Sequence, residues 1–135
     1  MALGAVSLAG CAKFRTAREC GVFVSAIKTW QGQGAKPAGS VSSPASSGPL
    51  DSRALAERYE DLGRRIDALN LESAELSPRA RRYQKLAREA AAALRDVAAA
   101  MERGDAESAR KRRVEFDDLS RSEAPLVADI NAVCR

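Results

Sequence analysis

A chain of 135 residues, 45% apolar and 30% charged, has room for one domain with a modest core. Aromatic residues make up only 4% and Ala about a fifth, which suits closely spaced helices and argues against a sheet rich in Val, Ile and Tyr. The complete lack of His removes the commonest general base and metal ligand, while the net charge of +4, carried mostly by Arg, matches GC-rich codon usage as well as it matches a nucleic-acid partner.

Residues 1–10 read MALGAVSLAG, all apolar or small, and Cys11 follows directly. Leu8-Ala9-Gly10-Cys11 resembles the lipobox of bacterial lipoproteins, with small residues leaving the backbone open to processing enzymes. The resemblance implies a lipid on the Cys11 thiol, cleavage before it, and a membrane partner reached through the acyl chains. It also implies a cell-envelope location facing the periplasm. With Ala12 rather than Asp after the Cys, the outer membrane is favoured over the inner. No basic residue precedes Cys11, so the expected leader starts upstream and residues 1–10 are part of it.

From residue 12 to 31, Phe14, Ala17, Cys20 or Gly21, Val24, Ile27 and Gln31 recur at helical steps, with the charges mostly on the other side. Gly21 in mid-helix costs about 1 kcal/mol relative to Ala, and the sequence suggests close approach by another helix as its use. Residues 11–31 are thus read as anchor and first helix. Residues 32–50 lose all periodicity in a Gly, Ser and Pro run, which predicts a flexible linker, either a tether or a plain connection.

Asp51 is the expected N-cap of a second helix that ends near Leu76, before the N-cap Ser77, with Leu55, Tyr59, Leu62, Ile66 and Leu69 as its stripe. Ser77-Pro78 marks the start of a third, with Tyr83, Leu86, Ala90, Leu94, Val97 and Met101 as its stripe. Gly104-Asp105 combines a C-terminal cap with the next N-cap. In the fourth helix, Val114 or Phe116, Leu119, Leu126, Ile130 and Val133 face inward, and Pro125 predicts a kink or break. Short turns make the neighbours antiparallel. The predicted fold is all-α: an up-down antiparallel three- to four-helix bundle with its core in residues 51–135.

Cys20 lies on the first helix and Cys134 one turn beyond Ile130, so paired helices allow either a disulfide or two reduced, buried thiols. An oxidising compartment favours the bridge. Together with the lipobox, these ends resemble small helical envelope lipoproteins of high-GC bacteria. No enzyme activity, catalytic residue, cofactor or metal site is expected: Glu115, Asp117 and Asp118 read as a solvated helix face. The runs Arg79-Ala80-Arg81-Arg82 and Arg110-Lys111-Arg112-Arg113 support the alternative of a cytosolic basic protein binding nucleic acid. Interleaved acids and few aromatics favour instead an ion-paired surface on an envelope module with a protein partner.

Overall fold

The computed structural model describes residues 9–34 and 48–135, and of the side chains in α1 those from residue 12 to 33. Residues 1–8 of the proposed leader, and residues 35–47 of the expected linker, lie outside the described residues. Among those described, four helices and no strand are found: α1 (Ala9–Gly34), α2 (Pro49–Ala68), α3 (Ser77–Glu102) and α4 (Ala106–Val133). The first helix therefore extends three residues into the stretch read as linker.

Helix α2 begins at Pro49, whose fixed φ suits the first helical position. Asp51 is accordingly not the N-cap. It is the third residue of the helix, where its carboxylate accepts a hydrogen bond from the Gly48 N–H at 3.3 Å. The helix also stops at Ala68, well short of Leu76. Leu69 and Asn70 donate to carbonyls three residues back, and Asn70 adopts a left-handed φ of 48° that Asn tolerates better than most residues. The following loop is capped by side chains: Ser73 Oγ accepts from Leu76 N–H at 3.2 Å, a role expected of Ser77. Leu76, fully buried, pins the entrance of α3.

The α3–α4 turn follows the predicted chemistry. Gly104 takes a φ of +70°, which only Gly adopts without strain, and Asp105 accepts from Ser108 N–H at 3.0 Å. Those hydrogen bonds from Ser108 hold the Asp105 carboxyl below the usual carboxylate range. Helix α4 runs unbroken through Pro125. Pro125 is exposed, so the backbone carbonyl that loses its helical partner lies on the side open to water.

The core divides into two regions. One gathers Cys20, Phe23, Leu62, Ile66, Leu76, Tyr83, Leu86, Leu126 and Ile130 from all four helices; the other packs Phe116 and Leu94 among Ala56, Ala90, Ala91 and Ala93. Tyr59 lies against both. The alanine-rich face of α3 lets α2 and α4 come close, while α1 packs through larger side chains, Phe23, Ile27 and Trp30. Pairings across helices run in order: Arg53 with Glu102 and Gln84 with the Gly63 carbonyl between α2 and α3, Arg112 with Asp96 and Arg79 with Asp129 between α3 and α4.

The buried face of α1 shares Cys20 and Ile27 with the one predicted and otherwise differs from it. Cys20 and Phe23 are buried and Ile27 and Trp30 half-buried, whereas Phe14 is 83% exposed. Gly21 is exposed as well, and a Cβ there would meet nothing within 4 Å, so it serves no close approach. Gly21→Ala is therefore expected to stabilise the protein by about 0.5–1 kcal/mol through helix propensity alone. A rise in the urea midpoint at constant m-value would register it; a fall would mean that the outer side of α1 is covered after all.

Candidate functional site

Glu19 and Cys20, adjacent on α1, tie that helix to two distant parts of the chain. The Glu19 carboxylate accepts from the backbone N–H groups of Glu72 and Ser73, at 3.1 and 2.9 Å, satisfying the loop before α3. Thr16 Oγ1 and Ser73 Oγ share a further hydrogen bond of 2.8 Å. One position on, Cys20 is disulfide-bonded to Cys134, with Cα atoms 5.6 Å apart and a sequence separation of 114. Cys11, the lipidation candidate, lies in the backbone of α1, and its side chain falls outside the described residues.

Beyond the disulfide, α1 is seated by aromatic rings. Phe23 meets Tyr83 edge-on with centroids 6.1 Å apart; Trp30 lies 5.5 Å from Tyr59, which in turn meets Phe116 at 5.9 Å. Trp30 also donates its indole N–H to the Arg58 carbonyl at 2.7 Å and receives the Arg58 guanidinium over its ring at 5.0 Å. Five of the six aromatic residues thus serve the docking of α1 or the junction between the two core regions. The sequence signal for this face was the series Thr16, Cys20, Phe23, Ile27, Trp30, which steps by 4, 3, 4 and 3.

Tyr83 donates its hydroxyl to the Glu123 carboxylate across the α3–α4 interface. Burial, followed by that hydrogen bond and the nearby carboxylate charge, pushes the Tyr83 phenol well above its ordinary range; burial raises Tyr59 too. The sign of the stability effect follows. Above the unfolded tyrosine pKa of about 10 the unfolded chain releases its phenolic proton while folded Tyr83 keeps it, so stability falls as pH rises. The decline is expected at up to about 1.4 kcal/mol per pH unit for Tyr83. Thermal melts across the alkaline range, with tyrosinate absorbance as a second probe, should show Tyr83→Phe losing that component. An unchanged slope in the variant would remove it.

Compared with known proteins, the chain matches no family model, no curated protein and no solved structure. The chemistry must be read from the residues themselves. Among the described residues no group of three or more Cys, Asp or Glu is placed to hold a metal, and no helix is long and apolar enough to cross a membrane. Three cations of the two basic runs pair with carboxylates on the bundle surface. Arg79 and Arg82 flank Asp129 at 3.1 and 3.9 Å, Arg79 also donates to the Glu75 carbonyl, and Arg112 lies between Asp96 and Glu115 at 3.5 and 2.7 Å. Of the acids on α4, Glu115 pairs with Arg112 and Asp118 with Arg121, both on exposed surface. The arrangement braces helices against one another and leaves these acids committed to guanidinium partners.

Proposed function

We propose that this protein is a lipid-anchored envelope protein whose helical bundle serves as a structural or protein-interaction module on the periplasmic side, with the outer membrane as the favoured site. The observation that carries the reading is the Cys20–Cys134 disulfide behind the Leu8-Ala9-Gly10-Cys11 sequence. Structural disulfides persist in oxidising compartments, which lie where a lipobox would send the chain. The up-down antiparallel order of α2, α3 and α4 belongs to the same reading. It is supported by the pairing of Arg53, near the start of α2, with Glu102, at the end of α3, and of Arg79, at the start of α3, with Asp129, near the end of α4.

Engagement of Arg79, Arg82 and Arg112 with carboxylates weakens the nucleic-acid alternative, since those guanidiniums would have to leave their partners to reach phosphates. The test is made in cells producing the full reading frame. Wild-type protein is expected in the membrane fraction and labelled by palmitate, and Cys11→Ser is expected to lose both properties. A wild type that stays soluble and unlabelled overturns the proposal.

A further inference from the structure

Helix α1 has an unusual charge balance. It carries four cations, Lys13, Arg15, Arg18 and Lys28, against one carboxylate, so it holds +3 of the chain-wide +4. That carboxylate, Glu19, is turned toward the bundle and occupied by two backbone N–H groups. Arg15 meets exposed Glu72 at 3.4 Å, whereas Lys13, Arg18 and Lys28 have no carboxylate partner among the described residues. Opposite the face that buries Cys20 and Phe23, the helix presents Arg18 and Lys28 together with Phe14, 83% exposed, and Val22, 45% exposed. A stripe of cations and apolar side chains without acids on one side of a helix is the pattern of a segment lying in a membrane interface.

We infer that the outward face of α1 lies flat on an anionic phospholipid bilayer, with Phe14 entering the head-group boundary and Arg18 and Lys28 on lipid phosphates. The inference rests on the anchored reading for its geometry. Cys11 stands three residues before Phe14 in the same helix, about 4.5 Å along its axis. An acyl chain there brings this part of α1 to the bilayer surface, and the disulfide then carries the bundle with it. Phe14 is what separates a bilayer from nucleic acid as the occupant: phosphate binding needs only the cations, whereas an exposed phenyl ring gains from an apolar phase.

The test uses the unacylated full chain carrying Cys11→Ser, so that binding reads the helix face rather than the anchor. Co-sedimentation at low salt is measured with vesicles of phosphatidylcholine and phosphatidylglycerol in equal parts, and with phosphatidylcholine alone. Binding to the anionic vesicles only is expected. At about fivefold per cation, Arg18→Glu with Lys28→Glu should weaken it by about 25-fold or more. Phe14→Ser should weaken it by about tenfold, for partial burial of one ring. Arg110→Glu with Lys111→Glu changes the net charge equally on α4 and should alter binding by no more than about twofold, being screened at that distance. Circular dichroism melts confirm that each variant folds. Equal binding to both vesicle types, equal losses for the two charge-reversed pairs, or tighter retention on duplex DNA lost with the α1 pair would each overturn the inference. Palmitate labelling at Cys11 is read separately. An unlabelled wild type whose unacylated form still binds anionic vesicles removes the anchor and supports the helix face; a labelled one that ignores them does the reverse.

Discussion

Cys134→Ser is expected to lower stability by about 5 kcal/mol and to free α1 from the rest of the bundle. The magnitude comes from the chain-entropy model for a bridge spanning 114 residues. Against a total of about 5–15 kcal/mol for a domain of this size, that is a third or more. The structural consequence follows from how α1 is held. Apart from the bridge itself, its close backbone approaches to another helix are to α2, and its other links include the side chains of Thr16 and Glu19 on the 72–73 loop, Phe23 on Tyr83, and Trp30 on Tyr59 and the Arg58 carbonyl. Each contributes about 0.5–3 kcal/mol, and all of them depend on the helix staying within reach. Urea unfolding of oxidised, reduced and variant protein measures the loss, and Trp30 fluorescence reports undocking directly by a red shift. Cys20→Ser should cost the same, and the double variant no more than either single one, because both remove one bond. A reduced protein within about 1 kcal/mol of the oxidised form would show that side-chain packing alone seats α1.

The same contrast between local and distant causes explains which parts of the fold were legible beforehand. The stripe of α3 was readable because Leu86, Leu94 and Val97 alternate with alanines at helical steps, and nearly every residue on that side is buried. The Gly104-Asp105 turn was readable because two residue types met at one junction, each with its own backbone requirement. Helix α2 is shorter than expected because its end was set by the Ser77-Pro78 start of the next helix, and nothing in the intervening residues marks a loop. What ends it is the left-handed Asn70 and a loop whose N–H groups bond to Glu19, more than fifty residues away. No local pattern carries that information. The face of α1 was misjudged for a related reason. Phe14 and Val24 make a periodic series about as regular as Phe23 and Trp30, and only the positions of Tyr83, Tyr59 and Cys134 decide between them. Of the candidate site, the Cys20–Cys134 pairing could be framed from helix ends and the two cysteines left once Cys11 is set aside, whereas the role of Glu19 could not.

Phe116→Ala is expected to cost about 4–5 kcal/mol, at the upper end for an aromatic truncation in a core. Phe116 is only 6% exposed, and its surroundings explain the severity. Ala56, Ala90, Ala91 and Ala93 line the same region, with Leu94 and the edge-on ring of Tyr59. Alanines have no side-chain rotamers with which to fill a void, and they belong to helices whose hydrogen bonding resists inward movement. The cavity left by a phenyl ring should therefore remain largely open, and the cost of a cavity grows with its residual volume. Phe116→Leu leaves a smaller void and should cost about 1–1.5 kcal/mol. Phe14→Ala supplies the internal comparison: the same chemical change at an 83% exposed position should stay within about 0.5 kcal/mol. Urea midpoints at constant m-value, measured on the oxidised proteins, distinguish the three. A Phe116→Ala cost below about 2 kcal/mol would mean that α2 and α4 can close onto the alanines of α3. The small-residue face of α3 would then be an adjustable packing surface rather than a rigid one.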